Sequence, residues 1–239
     1  MTASDTPPDT TAPNRLWALI PCAGSGSRAG TEGPKQYQPV AGQPMVLHTL
    51  AAFAAVPRLS GVLVVVSAGD VFFDNRDATV FVAACGGFTR AASVFNGLSA
   101  LVERGAGPDD WVLVHDAARC LITPAQIDAL IDACKNDAVG GLLALKLPDT
   151  LKREVGGRVA QTVDRADKWL AQTPQMFRIK ELQHALQAAG DAVTDEASAL
   201  EFVGKAPLLV EGSAQNFKVT YPQDFALAQS VLMARAGDR

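Results

Sequence analysis

A glycine-rich segment with nearby basic residues is the part of this sequence best suited to chemistry. Residues 21–28 read PCAGSGSR, and Lys35 follows shortly after Arg28. The glycines permit tight backbone geometry in which successive N–H groups point at phosphate oxygens. The planar fork of an arginine binds two phosphate oxygens at once, and a lysine is a mobile point charge, so the pair suits a triphosphate. The phosphate-binding residues predicted in this loop are Ala23, Gly24, Ser25 and Gly26.

Two further turns carry residues that suit a nucleotide. Gly86 and Gly87 precede a helix-like stretch with Ser93, and adjacent glycines allow the backbone to lie close against a base edge. Asp116 follows an apolar run, where its carboxylate would reach a ribose hydroxyl or water on a phosphate-bound Mg²⁺. Taken singly, each feature is more often structural, either as a tight strand-to-helix turn or as a helix cap.

The glycine-rich segment also partly satisfies the motif of another enzyme class. Residues 24–29 match the relaxed G-x-G-x-x-A dinucleotide fingerprint of a dehydrogenase. That fingerprint expects an immediate helix and an acidic residue roughly 20 positions later, at the end of the second strand. Here the loop continues through Gly30, Gly33 and Pro34. A P-loop is disfavoured as well, because no Gly-Lys-Ser/Thr closes the segment.

Short apolar runs that alternate with helix-like stretches predict the elements that position these residues. This alternation is typical of an α/β fold with a mostly parallel sheet, whose strands are covered on both faces and therefore continuously hydrophobic. An apolar stripe predicts a helix over about 90–104. Thr123 before Pro124 predicts the start of another helix, and the last helix opens near Pro222. The predicted strands are residues 16–20, 61–67, 79–84, 111–115 and 138–145, and ligands bind at the carboxyl ends of such strands.

The polar segment 146–168 interrupts this alternation. It has no helical stripe, and Gly156-Gly157 separates two extended stretches, which predicts a protruding β-hairpin arm. An isolated hairpin is marginally stable in water, so we expect it to lean on another surface, most simply that of a second copy. A flexible surface loop is the alternative that the pattern leaves open. The chain is predicted to be a single domain over 15–236, with 146–168 as a dimerisation arm.

Composition restricts the class of protein and its partners. The chain has 239 residues, of which 48% are hydrophobic, and this is enough to bury one large core. A formal net charge of -4 argues against nucleic-acid and membrane-surface partners, which favour a basic face. Residues 1–14 lack a basic start and a long apolar stretch, so we expect a disordered tail and a cytoplasmic protein. The four widely spaced cysteines suggest neither a zinc site nor a disulfide framework.

Several motifs in fixed order resemble the 2-C-methyl-D-erythritol 4-phosphate cytidylyltransferase family. They include residues 21–28 with PKQY at 34–37, GG at 86–87 with Arg90, and VHDAAR at 114–119. Downstream, PDT at 148–150, TVDR at 162–165, TPQ at 173–175, TDEASALE at 194–201 and NFKVT at 216–220 continue the match. The resemblance covers residues 16 to about 230. So many ordered matches are specific, whereas any one alone would mean little.

The resemblance implies a Rossmann-like fold, a homodimer joined by the arm, and transfer of CMP from CTP to a small polyol phosphate with Mg²⁺ or another divalent cation. By position, Arg28 and Lys35 would stabilise charge around the α-phosphorus, and Arg165 and Lys218 would orient the acceptor phosphate. Weaker candidates around the acceptor are Thr150, Thr173 and Thr194, of which Thr150, like Arg165, would reach the partner's site from the arm. Contacts to cytidine are implied for Gly87, Ser93, Asp116 and Ala117.

The sequence departs from the family pattern at two places, neither of which removes a charged group. Cys22 stands where alanine is usual, and Ala29 where methionine often follows the arginine. Because the acceptor phosphate is already an anion, in-line attack on the α-phosphorus needs no strong general base. A transferase for ribitol phosphate or another sugar phosphate, and a non-catalytic nucleotide-binding module, remain the alternatives.

Overall fold

The computed structural model describes residues 14–24, 30, 33–74 and 80–237. The predicted tail, apart from residue 14, lies outside this range. So do Ser25, Gly26 and Arg28 of the predicted phosphate site. In chain order the strands are β1 (Leu16–Pro21), β2 (Pro39–Val40), β3 (Gln43–Pro44), β4 (Gly61–Val65), β5 (Phe81–Ala83), β6 (Trp111–Val114), β7 (Gly140–Lys146), β8 (Leu151–Val155), β9 (Arg158–Val163), β10 (Trp169–Arg178) and β11 (Leu208–Glu211).

The helices alternate with these strands. They are α1 (Met45–Ala54), α2 (Arg90–Glu103), α3 (Pro124–Cys134), α4 (Ile179–Ala189), α5 (Glu196–Phe202) and α6 (Pro222–Gly237), with 3-10 turns at Lys35–Tyr37 and Gly190–Ala192. None of the described helices combines the length and the apolar character needed to cross a bilayer.

Within the described residues, seven strands form the central sheet, in the order β11-β7-β10-β6-β1-β4-β5. Strand β1 pairs in parallel with both β4 and β6, while β10 is antiparallel to its neighbours β6 and β7. The predicted mostly parallel α/β fold is confirmed. The sequence pattern missed β10 because polar side chains interrupt it: Gln172, Thr173 and Gln175 are buried in this strand.

Local sequence signals explain where α2 and α3 begin. Thr89 caps α2, since its hydroxyl accepts a hydrogen bond from the Ala92 N–H at 3.0 Å. Thr123 and Gln126 form a capping box at the start of α3. The apolar stripe of α2 packs its buried side chains against β1 and β4. Both predicted helices are therefore confirmed, and each starts at the predicted residue.

Apolar layers cover both faces of the sheet. One layer lies beneath α1 and α3, and the other beneath α2, α4 and α5. A smaller cluster under α6 joins Val40, Met45 and Leu121 to Val219. These layers hold the carboxyl ends of β1 and β6 at one edge, where the predicted site residues follow each strand.

The hairpin predicted at 146–168 is present. Strands β8 and β9 pair antiparallel with each other, and Gly156 and Gly157 form the turn with φ of 58° and 75°. Such positive φ values suit glycine, which explains the residue pair at this point. The side chains of Val155 and Val159 are 62% and 66% exposed. The arm thus presents apolar surface to its surroundings, and its predicted role in a dimer stays a prediction.

Candidate active site

A cavity of about 530 Å³ opens at the carboxyl ends of β1 and β6, between the loop after β1 and the turn before α2. Its wall also includes Gln36, Phe88 and Arg90. The structure therefore brings most of the sequence-predicted residues into one place. Those that line the cavity are Ala23, Gly24, Lys35, Gly87, Ser93, Asp116, Ala117 and Lys218.

Side chains outside the loop fix the carbonyl groups of its described part. The Gln36 amide nitrogen donates to the Cys22 carbonyl at 2.8 Å and to the Gly24 carbonyl at 3.0 Å. The Ser67 hydroxyl donates to the Ala23 carbonyl at 2.9 Å. Because these carbonyl oxygens are already bound, their negative ends are not left facing an anion in the cavity. The loop is thereby suited to phosphate.

Cys22 supplies packing rather than a nucleophile. Its thiol is buried, and burial raises its pKa to about 12, so the thiolate is scarce near neutral pH. The sulfur lies 3.9 Å from the Tyr37 hydroxyl, which in turn donates to Asp70 at 2.6 Å. These contacts tie the loop to the residues that follow β4.

Lys35 projects into the cavity from the 3-10 turn at Lys35–Tyr37. Its ammonium group donates to the Val219 carbonyl at 2.7 Å. The Val219 N–H donates to the Ala118 carbonyl at 2.9 Å, so this segment is anchored beside the end of β6. Lys35 and Lys218 thus reach the same cavity from distant parts of the chain.

The two glycines before α2 are required by close packing. A Cβ added at Gly86 would lie 2.3 Å from the Ala23 Cβ, and one at Gly87 would lie 2.5 Å from the Ala92 Cβ. The Gly87 N–H donates to the Ser93 hydroxyl at 3.0 Å. These contacts hold the turn against the first loop and against α2. A larger side chain at Gly86 would therefore displace the wall of the cavity.

Asp116 is the electrostatic centre of the site. Its Oδ1 accepts from Arg90 Nε at 2.9 Å, and its Oδ2 lies 2.8 Å from Lys218 Nζ and 3.7 Å from Arg119 Nε. Burial alone would raise the pKa of this carboxyl group, but the charges of Arg90 and Lys218 outweigh burial and hold the pKa well below its usual range. Asp116 is therefore ionised, and it orients the side chains of Arg90 and Lys218.

Arg90 is a site residue that was not assigned a role from the sequence. Its two terminal nitrogens donate to both carboxylate oxygens of the buried Glu196, at 2.6 and 3.0 Å. Burial disfavours its charge, but Glu196 and Asp116 raise its pKa above the ordinary value. The sequence does contain a signal for such a role, because Arg90 is a cation at the first position of a helix. The helix dipole opposes a cation there unless it is paired.

A second cavity, of about 190 Å³, adjoins the first and shares Arg90, Asp116 and Lys218 with it. It brings together two of the predicted acceptor residues, Thr173 and Thr194. These threonines therefore lie in the same cavity wall as three residues that also line the larger cavity.

The Thr173 hydroxyl is largely engaged within the protein. It accepts from the Asp116 N–H at 3.1 Å and pairs with His115 Nδ1 at 3.0 Å. Burial lowers the pKa of His115 to about 3, so its imidazole is neutral at physiological pH. His115 is therefore a structural residue, and it keeps the end of β6 in place.

Two predicted site residues lie away from both cavities in a single chain. Thr150 precedes β8, and Arg165 follows β9 at the base of the arm. The Arg165 guanidinium donates to the Pro148 carbonyl. Within one copy Arg165 thus braces the base of the arm, and neither residue contributes to either cavity wall.

The described residues around the cavity suit a divalent cation that arrives with phosphate. No group of three or more His, Cys, Asp or Glu side chains among the described residues is arranged to hold a metal ion. Among the described residues, Asp116 is the carboxylate that lines the larger cavity. Mg²⁺ keeps several waters and binds through one or two carboxylates plus substrate phosphates, which matches this donor set.

Comparison with known proteins gives one family. The family model described as IspD, 2-C-methyl-D-erythritol 4-phosphate cytidylyltransferase, matches residues 16–234. The chain is 55% identical over 229 residues to the protein of that name from Paraburkholderia phytofirmans, covering 92% of this chain and 96% of that protein. It is 68% identical over 239 residues to the bifunctional enzyme IspD/IspF of Albidiferax ferrireducens, covering 98% of this chain but only 57% of that protein.

Solved structures agree with this result. The crystal structure titled 4-diphosphocytidyl-2C-methyl-D-erythritol synthase superposes with a TM-score of 0.82 at 41% identity, covering 93% of this chain and 100% of that one. The Francisella tularensis 2-C-methyl-D-erythritol 4-phosphate cytidylyltransferase gives a TM-score of 0.77 at 35% identity, covering 90% and 99%. Fold and sequence thus point to the same relatives.

Proposed function

Because this chain belongs to the 2-C-methyl-D-erythritol 4-phosphate cytidylyltransferase family, we propose that its larger cavity holds CTP and its smaller cavity holds the acceptor. The chain is a nucleotidyltransferase that transfers CMP from CTP to 2-C-methyl-D-erythritol 4-phosphate in isoprenoid precursor biosynthesis. The products are 4-diphosphocytidyl-2-C-methyl-D-erythritol and pyrophosphate.

The reaction is an in-line displacement at phosphorus. An oxygen of the acceptor phosphate forms a new bond to the α-phosphorus of CTP, while the bond from that phosphorus to the bridging oxygen of pyrophosphate breaks. The attacking oxygen already carries negative charge, so no proton has to be removed from it. Catalysis therefore depends on positioning and on stabilising charge at the phosphoryl groups.

The basic residues divide between the two substrates. Lys35, with Arg28, is assigned to charge developing around the α-phosphorus and the leaving pyrophosphate. Lys218, with Arg165, is assigned to the acceptor phosphate. The observation that carries this assignment is the position of Lys218, whose ammonium group is held by Asp116 on the wall shared by the two cavities.

The remaining cavity residues are assigned to the nucleoside and to the divalent cation. Gly87, Ser93, Asp116 and Ala117 line the larger cavity beyond the loop, where cytidine would lie. Mg²⁺, bound together with the nucleotide, would supply neutralisation of the negative charge on the phosphate oxygens. A carboxylate oxygen of Asp116 is the protein group suited to reach that cation or its waters.

The arm supports a homodimer with shared sites. Its strands pair only with each other in the described part of the chain, and Val155 and Val159 are exposed. A hairpin of this kind gains stability by packing on a second copy. Arg165 and Thr150 lie on the arm and outside the cavities of their own chain, so we assign them to the partner's acceptor site.

A cytoplasmic location is the last element of the proposal. All four cysteines are free thiols, and Cys22, Cys120 and Cys134 are buried. Unpaired cysteines are usual in a reducing compartment. Fractionation of cells that express the tagged chain would locate it, and recovery in the membrane or extracellular fraction would contradict this location.

Pyrophosphate release tests the proposed reaction. Purified protein is given CTP, Mg²⁺ and either 2-C-methyl-D-erythritol 4-phosphate or ribitol 5-phosphate. We expect rapid release with the first acceptor, little with the second, and loss of activity after chelation of the metal. Faster release with ribitol 5-phosphate would contradict the acceptor, and undiminished activity in excess chelator would contradict the need for a divalent cation.

A further inference from the structure

Glu196 is a buried carboxylate at the end of a chain of charged contacts. Its two oxygens accept from the terminal nitrogens of Arg90 at 2.6 and 3.0 Å. Arg90 Nε donates to Asp116 at 2.9 Å, and Asp116 lies 2.8 Å from Lys218 Nζ. Glu196 is therefore joined to Lys218 through two intermediate residues, although it lines neither of the two cavities itself.

Stability alone is a poor explanation for this buried carboxylate. Taking charges out of water is costly, and well-packed apolar residues often replace a buried ion pair without loss of stability. Glu196 has 0% exposure, so it is shielded from bulk solvent. Its effect on Arg90 is specific, since a bidentate contact fixes the plane of a guanidinium group.

The distribution of charge along this series of contacts, from Glu196 to Lys218, depends on Glu196. Arg90 sits between two carboxylates, so its positive charge is shared between Glu196 and Asp116. Without the charge of Glu196, Arg90 would pair more strongly with Asp116. The attraction of Asp116 for Lys218 would then be weaker, and the ammonium group would be held less firmly toward the smaller cavity.

The position of Glu196 also links it to the acceptor side. It is the first residue of α5, and Thr194 in the preceding turn lines the smaller cavity. Gln175 of β10 anchors this turn, donating to Asp195 at 2.9 Å and accepting from the Ala197 N–H at 2.8 Å. Glu196 therefore connects the anchored N-terminus of α5 to Arg90 and Asp116.

We propose that Glu196 is a positioning residue for acceptor binding, which acts by holding Arg90 so that Asp116 orients Lys218. This role rests on the proposed function, because it requires Lys218 to bind the acceptor phosphate. Lys35 and residues 22–24, the described part of the glycine-rich loop, lie outside this chain of contacts. The effect of losing Glu196 is therefore larger on the acceptor than on CTP.

The test uses Glu196→Gln, which keeps the shape of the side chain and removes its charge. Glu201→Gln is the matched control, since Glu201 is exposed on the same helix. Steady-state kinetics are measured well below the melting temperature of each variant. We expect KM for the acceptor to rise about tenfold in Glu196→Gln, within the range of coupling between contacting charges, while KM for CTP changes less than about threefold. The control keeps both values.

A second background separates positioning from simple loss of stability. In Arg90→Lys the bidentate contact is absent, so adding Glu196→Gln should then raise the acceptor KM much less than it does alone. A lower melting temperature of Glu196→Gln with an unchanged acceptor KM would overturn the proposal. Should Glu196→Gln not fold, Glu196→Asp decides, because it keeps the charge but shortens the reach. A raised acceptor KM in that variant supports the proposal, and a wild-type value overturns it.

Lys218→Ala, assayed in parallel, separates a failure of the assignment of Lys218 from a failure of the proposal for Glu196. If Lys218→Ala leaves the acceptor KM unchanged, both the assignment of Lys218 and the role of Glu196 are wrong. If Lys218→Ala raises it but Glu196→Gln does not, Lys218 keeps its assignment and only the role of Glu196 is wrong.

Discussion

The Nζ atom of Lys218 lies 2.8 Å from Oδ2 of Asp116, in the wall that separates the two cavities. Asp116 comes directly after β6, whereas Lys218 precedes α6 at the other end of the chain. The pair thus joins a strand end of the central sheet to the C-terminal segment. Under the proposed assignment of the two cavities, a lysine lies where the reacting phosphates of the two substrates would meet.

Replacing Lys218 should weaken acceptor binding more than CTP binding. Under the proposed assignment, Lys218→Ala removes a charged hydrogen bond to the acceptor phosphate, which is worth about 2 kcal/mol, or about 30-fold in KM for the acceptor. Steady-state kinetics with each substrate varied in turn measure this change. Lys205→Ala, at an exposed position, is the control and should behave like the wild type. An equal loss for both substrates would contradict the assignment of Lys218.

Replacing Lys35 should lower turnover more than CTP affinity. Loss of a group that stabilises charge developing in the transition state costs about 10²- to 10³-fold in kcat. Single-turnover kinetics and calorimetric CTP binding to Lys35→Ala measure the two effects separately. Lys180→Ala, on the exposed surface of α4, is the control. Near wild-type turnover in Lys35→Ala would remove this residue from the reaction.

A methyl group at Gly86 should disturb the nucleotide cavity. The added Cβ would lie 2.3 Å from the Ala23 Cβ and 2.9 Å from the Val66 carbonyl oxygen, so the loop has to move. We expect Gly86→Ala to raise KM for CTP by about tenfold or more, since overpacking costs about 1–3 kcal/mol. Gly107→Ala is the control, because its Cβ would be at least 3.6 Å from its neighbours. Unchanged CTP kinetics in Gly86→Ala would show that the loop is not constrained there.

Burial of neutral His115 should make stability fall at mildly acidic pH. The pKa of His115 is about 3 in the fold and ordinarily 6.5, so between these values the unfolded chain binds a proton that the native protein does not. Stability is therefore lost as pH falls below 6.5, by about 2 kcal/mol at pH 5. Urea unfolding at pH 7.5 and pH 5 measures this loss.

The matched variants isolate this contribution. His115→Gln should show a smaller decrease in unfolding free energy between the two pH values, whatever its stability at pH 7.5. His184→Asn, at an exposed position on α4, should show the same decrease as the wild type. An identical decrease in His115→Gln would mean that His115 is not the group responsible.

Mixing two impaired variants should restore activity at limiting acceptor concentration if the arm completes the partner's site. Arg165→Ala lacks the arm residue, and Lys218→Ala lacks the residue in the body of the site. A heterodimer of the two has one complete site, so random pairing should return about a quarter of the wild-type sites. Pyrophosphate release after co-refolding measures the recovery. No recovery from a preparation shown to contain heterodimers would contradict site sharing.

The sequence predicted the fold, and it predicted that several candidate site residues lie together, because strong local signals were present. Continuous apolar runs marked the parallel strands, an apolar stripe marked α2, and Thr123 before Pro124 marked the start of α3. The carboxyl-end rule then placed Lys35 and Asp116 in one cavity. The arm was also predicted, since Gly156-Gly157 suits a tight hairpin turn.

Pairwise contacts between distant residues were beyond the reach of local patterns. The polar side chains of β10 hid a central strand, because their burial depends on partners such as Asn216 and Asp195. The roles of Arg90 and Glu196 were missed for the same reason. Each looks like an ordinary residue of a helix first turn until the fold brings the two together.

A crystal structure with CTP and Mg²⁺ tests the central claim most directly. The prediction is that the triphosphate lies in the larger cavity, against the backbone of residues 22–24 and within hydrogen-bonding distance of Lys35 Nζ. A nucleotide bound elsewhere on the protein, with this cavity free of phosphate, would contradict the account.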